Sequence, residues 1–560
     1  MSEQKEYIVT LKDKDDLDQF YDDMETPGGE LYIPDRVVDV AQRRAISRNT
    51  HYMLTSEEAE LVKDDPRVLA ISLTPEELGM KIRPHYVQTD NNFDKSSVED
   101  VDDINWGLLR VYEGAQRANW GTDVTSNQAG TINVQTTGKN VDVVIVDGMI
   151  DPAHPEYAIN SDGSGGTRVN QYNWFVHNPE VTGGAAGNYI YAPYDDPGSP
   201  DNNGDGVPDR TDDNAHGSHV AGTTCGNTQG WARGANIYNI NPYGTDINGV
   251  NALNLFDYIR AWHNSKATNP DTGRKNPTIT NNSYGYSFSF PVSQITQVNF
   301  RGASIPGPFT AADLFNNYGI LAFNSGGTDI AISPARFAAF EADIEDAMRD
   351  GIIVVGAAGN DYMKMDIAGG QDFNNSMVRS GTTYFYHEGS APSSTDDVIC
   401  VGSIGTLSQE YKSNFSNCGP RVDIWAPGSE IQSSVNTLTA YGGNLDPRTG
   451  ATYALAKISG TSMASPQVCG VLACALEVYP WMTQEQAREY VFARSKAQVG
   501  TTAGGFSDVT NTQGAANRYL YHYNERLENG QLYPKKDYWL RDTQAYSKIW
   551  PRPRVRRYGT

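Results

Sequence analysis

Two histidines lie three positions apart in a run of small residues, "NAHGSHVAG", at residues 214–222. His216 and His219 are compatible with a metal site, a helix surface or acid–base catalysis. A metal pair on a helix favours a spacing of four with a carboxylate nearby, and the HExxH signature is absent. Two further residues are candidates for chemistry: Asp147 closes the apolar run "VDVVIVD", and Ser462 lies in "SGTSMASPQVCG". Taken singly, each of these residues is more typical of a turn, a cap or a core position.

Together, an aspartate, a histidine and a serine are able to carry out nucleophilic catalysis. A serine hydroxyl is a weak nucleophile until an imidazole accepts its proton. The imidazole in turn needs a carboxylate that fixes its tautomer and stabilises its protonated form. Because geometry and not sequence order decides whether the three side chains act together, the fold must bring them into contact.

Each of the three residues lies in an extended motif that resembles the subtilisin-like serine proteases, the subtilases. The motifs are "VIVDGMIDPAHPE", "HGSHVAGT" and "GTSMASPQVCG", and "SNFSNCGPRVDIWAPGSEIQSS" resembles a segment that precedes the serine motif in the family. The resemblance covers most of residues 104–480. It implies a serine endopeptidase with Ser462 as nucleophile, His216 as general base and Asp147 as the carboxylate partner of the histidine.

Two shorter segments, "NNSYG" and "VVGAAGND", resemble the substrate-binding and oxyanion-binding parts of the same family. The resemblance implies that the side-chain amide of Asn360 and the backbone N–H of Ser462 stabilise the oxyanion. It also implies that one group of residues binds an extended substrate through its main chain and that a second group forms a wall of the P1 pocket. These groups are Ser283, Tyr284 and Gly285, and Ala357, Ala358 and Gly359.

A calcium site is indicated by the loop "DNNGDGVPDRTD" at residues 201–212. Oxygen-bearing side chains occupy positions 1, 3, 5, 9 and 12, Gly206 occupies position 6, and a backbone carbonyl is available at position 7. The expected ligands are Asp201, Asn203, Asp205, Val207, Asp209 and Asp212. Against calcium, position 12 is Asp where a bidentate Glu is usual. The family's calcium loop after the histidine motif is not expected here, because "CGNTQGWARG" is short. A second departure is that Gly148 and Met149 follow Asp147, where the family usually has a small residue and then glycine.

The elements that must position these residues are those of an α/β protein with a mainly parallel central sheet and helices on both faces. Apolar runs at 141–147, 235–240, 277–283, 351–360 and 397–404 alternate with helical patterns, which indicates strands buried on both faces. Ligands of such sheets collect at the carboxyl ends of the strands, where Asp147, Ser283 and Asn360 lie. Polar, Gly-rich and Tyr-rich stretches at 157–212, 284–330 and 365–395 are predicted to be loops that elaborate one face.

A small α+β domain is predicted at residues 1–85, followed by an acidic linker at 86–104. The N-terminal domain resembles the inhibitory propeptide of many subtilases, which implies a zymogen that cleaves itself between Glu77 and Asn105. The alternative is an unrelated α+β domain. The catalytic domain is predicted over 105–525, and a C-terminal extension with a basic, exposed tail over 526–560.

Composition limits the remaining classes of function. A formal net charge of -24 and a pI near 4.7 argue against nucleic-acid binding, because phosphate contacts need a basic surface. The N-terminal residues lack a secretory apolar run and no stretch is long enough to span a bilayer, so a soluble protein without an ordinary leader is expected. Its location is undetermined and includes the cell interior, a virion or non-classical export. The five cysteines are expected to be mostly buried free thiols, with a pairing of Cys225 or Cys418 left open.

Three hypotheses about the function are therefore considered. The first is the self-processed serine endopeptidase, with protein or peptide substrates and its own propeptide as inhibitor. The second is a catalytically silent subtilase-like module of a larger assembly, which would have no need of Asp147, His216, Asn360 and Ser462 together. The third, an esterase of the α/β-hydrolase type, is disfavoured because Ser462 lies in GTSMA and not in a G-x-S-x-G elbow. No organic cofactor is implied.

Overall fold

The structure is a computed structural model of the 560-residue chain. It describes residues 4–33, 38, 40–44, 46–84, 103–114, 128–129, 134, 136–181, 215–243, 250–405, 410–435, 441, 444–446, 448, 453–522, 526–528 and 531–533.

The N-terminal body is a four-stranded sheet with two helices. Its elements are β1 (Lys5–Leu11), α1 (Leu17–Glu25), β2 (Val40–Gln42), β3 (Asn49–Leu54), α2 (Ser56–Lys63) and β4 (Val68–Leu73), followed by β5 (Lys81–Pro84). The strand order is β2-β3-β1-β4, and every pairing is antiparallel. Thr55 and Glu58 form a capping box that begins α2, as their spacing predicts.

The remainder of the chain contains eight further α-helices among the described residues: α3 (Trp106–Glu113), α4 (Trp174–His177), α5 (Ala215–Cys225), α6 (Leu255–Ser265), α7 (Ala311–Asp313), α8 (Ala338–Arg349), α9 (Thr461–Val478) and α10 (Gln484–Arg494). Its described strands are β6 (Asp103–Ile104), β7 (Gln128–Ala129), β8 (Asp142–Val146), β9 (Val169–Asn170), β10 (Asn236–Ile240), β11 (Thr278–Asn282), β12 (Tyr284–Pro291), β13 (Ile295–Phe300), β14 (Ala303–Pro306), β15 (Ala322–Ser325), β16 (Thr328–Pro334), β17 (Ile353–Ala357), β18 (Ser376–Arg379), β19 (Thr382–Phe385), β20 (Ile399–Ile404), β21 (Ile424–Pro427), β22 (Ile431–Val435), β23 (Asn444–Leu445), β24 (Ala454–Ile458), β25 (Arg526–Glu528) and β26 (Gln531–Tyr533).

A seven-stranded parallel sheet with the order β21-β20-β17-β11-β8-β10-β9 forms the centre of the molecule. Five of its strands lie within the five apolar runs identified in the sequence. The side chains of β8 show why those runs are continuous: Val143 and Ile145 join the core that includes α5 and α9, whereas Val144 and Val146 join the core that includes α6 and α8. Helices therefore cover both faces, and the prediction of an α/β fold is confirmed.

The prediction of loops is wrong for most of residues 284–330, and within 365–395 it is wrong for two short strands. Strands β12 to β16 occupy most of the first stretch, and β18 and β19 lie in the second. They build the sheets β15-β16-β12-β5 and β14-β13-β18-β19. The physical reason is visible in "YGYSFSFP", where aromatic residues alternate with glycine or serine, because such a period of two is typical of a half-buried strand.

The N-terminal body packs on α6 and α8 through a buried cluster of charged groups. Arg44 is fully buried and donates to Asp257 and to Asp343, at 2.8 Å in each case. Ser47 Oγ donates to the same Asp343 carboxylate at 2.7 Å, and Asn49 Nδ2 donates to it at 2.9 Å. Because a buried guanidinium is costly unless it is paired, these contacts make the docking orientation of the body specific.

All five cysteines are buried and free, which leaves no disulfide at Cys225 or Cys418. No helix in the described parts of the chain is long and apolar enough to cross a membrane. Most of the acidic linker and the basic tail lie outside the described residues, and β25 and β26 are the described part of the C-terminal extension.

Candidate active site

Two neighbouring strand ends bring the predicted site residues together. Val146 of β8 and Asn282 of β11 are register partners in the parallel sheet. Asp147 follows Val146 and Ser283 follows Asn282, so the two residues lie side by side at the ends of neighbouring strands, whose backbones are about 5 Å apart. His216 contacts the first of these residues and Ser462 contacts the second, as described below.

Asp147 and His216 form a buried pair. His216 Nδ1 lies 2.8 Å from Asp147 Oδ1, and the backbone N–H of Gly148 donates to the same oxygen at 2.8 Å. His216 is the second residue of α5, and a Cβ at the next residue, Gly217, would lie 2.0 Å from the carbonyl oxygen of Gly148. A glycine is therefore required where the helix starts against the aspartate turn. Gly148 leaves the carboxylate oriented towards the imidazole, although it departs from the family pattern.

His219, the other histidine of the opening motif, has a structural role. Its Nε2 atom lies 2.9 Å from the carbonyl oxygen of Ile431 and 3.1 Å from that of Ala456. Two carbonyl acceptors require a proton on Nε2. Burial lowers the pKa of His219 to about 3, so the ring is neutral at neutral pH. The pair His216 and His219 is thus a general-base candidate beside a core histidine and not a metal pair.

Acid is expected to destabilise the fold through His219. Its folded pKa lies below its unfolded value, so the unfolded chain binds the extra proton and stability is lost as the pH falls below about 6.5. From pH 7 to pH 5 this corresponds to roughly 2 kcal/mol. The measurement is the thermal midpoint of Ser462→Ala against pH, with and without His219→Gln. The added substitution should flatten the slope, and equal slopes would contradict the assignment. Asp343, whose pKa burial raises to about 6, acts in the opposite sense in both proteins.

Ser462 lies at the start of α9, as its second residue after Gly460. Its Oγ atom donates to the carbonyl oxygen of Ser283 at 3.1 Å, and Ser283 Oγ donates to the carbonyl oxygen of Ser462 at 3.1 Å. The second bond is explained by Pro466, four residues further on, which has no N–H to offer that carbonyl. The serine is therefore held directly on the strand end that adjoins Asp147.

Asn360 presents an unused donor beside the start of α9. Its Oδ1 atom accepts from the backbone N–H of Thr461 at 3.0 Å and from the Thr461 hydroxyl at 2.9 Å. These two contacts orient the amide, so Nδ2 is directed away from Thr461. Nδ2 is buried and has no hydrogen-bond partner among the described residues. A buried donor without a partner next to a serine is what an oxyanion site requires.

Two positioning residues were missed by sequence reasoning. Thr461 orients Asn360, and its hydroxyl also accepts from the backbone N–H of Gly359 at 3.1 Å. Asn417 donates to the carbonyl oxygen of Ala358 and accepts from the backbone N–H groups of Asp361 and Met363, all within 3.0 Å. Both residues lie inside the motifs quoted above. Their polar side chains, which are able to form hydrogen bonds, were the feature of the sequence that could have identified them.

The predicted substrate-binding residues lie on both sides of this centre. Tyr284 and Gly285 begin β12 and pair with Pro84 and Arg83 of β5 in antiparallel register. Ala357 ends β17, Ala358 and Gly359 follow it, and all three are buried. Gly359 has a φ of +105°, and a Cβ there would lie 2.5 Å from Asn417 Nδ2. The N-terminal body thus places its last described strand on the edge predicted to bind substrate.

The predicted calcium loop at 201–212 lies outside the described residues. Within the described parts of the chain, no group of three or more His, Cys, Asp or Glu side chains is arranged to hold a metal ion.

Comparison with known proteins places the chain in a family. A model of the subtilase family (Peptidase_S8) matches residues 138–518. Subtilisin-like protease 2 of Trichophyton verrucosum is 27% identical over 269 residues, which are 48% of this chain and 42% of that protein. The extracellular serine proteinase of Thermus sp. (strain Rt41A) is 26% identical over 298 residues, which are 53% of this chain and 49% of that protein. The matches thus span about half the length of these curated relatives.

Among solved structures, fervidolysin from Fervidobacterium pennivorans aligns with 92% of this chain and 60% of its own, at 17% identity and a TM-score of 0.46. The epidermin leader peptide processing serine protease of Staphylococcus aureus aligns with 93% of this chain and 98% of its own, at 16% identity and a TM-score of 0.46. The family match covers more than half of the 560 residues and includes the three motifs built around Asp147, His216 and Ser462. The chain belongs to the subtilase family.

Proposed function

We propose that the protein is a serine endopeptidase that acts through Asp147, His216 and Ser462. The observation that carries this proposal is the 2.8 Å contact between His216 Nδ1 and Asp147 Oδ1, beside the strand end that holds Ser462. An acceptor at Nδ1 keeps the proton on that nitrogen, so Nε2 is the basic nitrogen. Nε2 then takes the proton of Ser462 Oγ as this oxygen attacks the substrate carbonyl.

The negative charge of the tetrahedral intermediate is stabilised by two donors. One is the backbone N–H of Ser462 at the start of α9, where the helix dipole adds a partial positive charge. The other is Asn360 Nδ2, which is oriented by Thr461 and has no partner among the described residues to give up. Protonated His216 then gives its proton to the leaving amine, and water releases the acyl group by the reverse steps.

The N-terminal body acts as an intramolecular inhibitor. Support comes from β5, which pairs with Tyr284, Gly285, Tyr286 and Ser287 as a substrate strand would by β-augmentation. The charged cluster around Arg44 supports a specific docking of the body on α6 and α8. A substrate that needs the same edge must displace β5.

Self-cleavage is proposed immediately after His85. Pro84 is the register partner of Tyr284, and antiparallel pairing advances one residue for one residue, so the position that continues this register is opposite Ser283. Ser283 is the residue whose carbonyl oxygen accepts a hydrogen bond from the Ser462 hydroxyl. This bond falls inside the interval Glu77 to Asn105 predicted from the sequence. His85 lies outside the described residues.

Calcium is proposed to bind the loop at 201–212 and to stabilise the chain segment that leads into α5, which begins three residues after the loop. Carboxylate and carbonyl oxygens suit this hard cation. Removing calcium with a chelator is expected to lower the unfolding free energy by about 3 kcal/mol if the ion had been present at 100 times its Kd. Differential scanning calorimetry checks this on Ser462→Ala. The double variant Asp205→Asn, Asp209→Asn should be insensitive to the chelator, and equal shifts in both proteins would count against the loop.

A serine-directed fluorophosphonate tests the endopeptidase proposal directly. Labelling of wild type and not of Ser462→Ala, with turnover of peptides, is the expected result. A chain that takes no label is the silent module instead. Turnover of simple esters without turnover of peptides would favour an esterase.

A further inference from the structure

Strand β12 is twice as long as the part of it that the N-terminal body covers. β12 runs over the eight residues Tyr284–Pro291, whereas β5 pairs only with Tyr284 to Ser287. Before β5 the chain turns away, through hydrogen bonds from Gly79 N to Glu76 O and from Met80 N to Pro75 O. Residues 288–291 pair with β16 on one side, and no described strand is their partner on the other.

Some backbone N–H and C=O groups of β12 point away from β16, towards the edge that β5 leaves uncovered. Ala335 N donates to Tyr286 O at 3.0 Å, so the backbone groups of Tyr286 face β16. Backbone direction alternates along a strand, so those of Gly285, Ser287 and Ser289 face the opposite edge. Gly285 and Ser287 are opposite β5, whereas Ser289 lies beyond it and its side chain is exposed.

The two faces of this edge differ in chemistry. The side chains of Gly285, Ser287 and Ser289 share one face and are small. Phe288 lies on the other face, is half-buried, and contacts the Tyr384 ring with a centroid separation of 4.9 Å. Residues directly opposite in an antiparallel pair place their side chains on the same face. A strand that continues along β12 would therefore set one side chain beside the exposed part of Phe288.

We propose that the Phe288–Phe290 part of β12 is a binding edge for an extended segment of the substrate, the sixth to eighth residues before the scissile bond (P6 to P8). The inference rests on the proposed function and extends it to the substrate class: proteins with an unfolded stretch of about eight residues upstream of the cut. With P1 opposite Ser283, P6 lies opposite Phe288 and P7 opposite Ser289. The edge selects an apolar P6 side chain and binds P7 through its backbone alone.

Peptide substrates with one N-methylated amide test the backbone contact. The P7 N–H faces Ser289 and the P6 N–H faces away, so methylation at P7 is expected to lower kcat/KM about three- to tenfold, the effect of one lost hydrogen bond. Methylation at P6 is the matched control and should leave kcat/KM within about twofold, in line with a backbone group that makes no contact. Equal effects of the two methyl groups, or no effect of either, would overturn the proposal.

Two further comparisons keep the result interpretable. Ser289→Pro removes the N–H that faces the open edge and spares the β16 ladder, so it should reduce the advantage of an eight-residue over a four-residue upstream segment, whereas Ser289→Ala should keep that advantage. Unchanged fluorophosphonate labelling of Ser289→Pro establishes that it is folded. If wild type cleaves neither peptide, the proposed function fails. If wild type cleaves short and long peptides equally well, only the extended edge fails.

Discussion

Purified Ser462→Ala is expected to remain a full-length chain, whereas wild type separates into an N-terminal fragment that ends at His85 and a catalytic body. The hydroxyl removed by the substitution is the proposed nucleophile, and the neighbouring Ser283 hydroxyl is engaged in a hydrogen bond to the carbonyl oxygen of residue 462. In subtilisin, loss of the triad serine lowers kcat by about 2 × 10⁶. Intact mass and N-terminal sequencing of both proteins, with peptide turnover, give the result.

Ser465→Ala is the matched control for this experiment. Ser465 lies on the same helix, is buried, and donates to Asn281 Oδ1 at 2.8 Å, so its removal perturbs the same packing without touching the proposed nucleophile. This variant should still process itself. Processing of Ser462→Ala at the same bond would show that another protease makes the cut, and full-length wild type without a fluorophosphonate label would remove the catalytic proposal altogether.

Asn360→Ala is expected to lower kcat by about 10²–10³ with little change in KM. The Nδ2 donor has no partner among the described residues, so it is available to the oxyanion, which exists only after attack has begun. A contact made only in the transition state changes kcat and leaves ground-state binding alone. The magnitude is that known for a subtilisin oxyanion donor. Steady-state kinetics on one peptide substrate check it.

Variants of Thr461 test whether the orientation of the Asn360 amide, and not only its presence, contributes to the rate. Thr461→Val removes the hydroxyl that donates to Asn360 Oδ1 and keeps the shape of the side chain, so we expect a loss in kcat of about tenfold, the weight of one hydrogen bond. Thr461→Ser keeps the hydroxyl and should restore most of the rate. If Asn360→Ala raises KM at unchanged kcat, the amide binds substrate and does not stabilise the oxyanion.

The main features of the fold were accessible from the sequence because a parallel sheet covered on both faces leaves continuous apolar strands. β8 is an example, since its alternate valines enter two different cores. The capping box at Thr55 and Glu58 was also visible, because it depends on residues three positions apart. Strands β12 to β16 were not predicted, because the glycine and serine of β12 are typical of loops and several of the later strands are short and separated by glycine-containing segments.

The motifs of the sequence alone determined which side chains are candidates for chemistry: Asp147, His216, Asn360 and Ser462. Only the tertiary structure decided how they meet, since the Val146–Asn282 register places Asp147 beside Ser283, and Ser283 holds Ser462. It also decided that His219 is a core residue, that Thr461 orients Asn360, and that β5 lies on half of β12. The physical reason is that hydrogen bonds between residues more than a hundred positions apart depend on strand register and helix packing, which local sequence patterns do not encode.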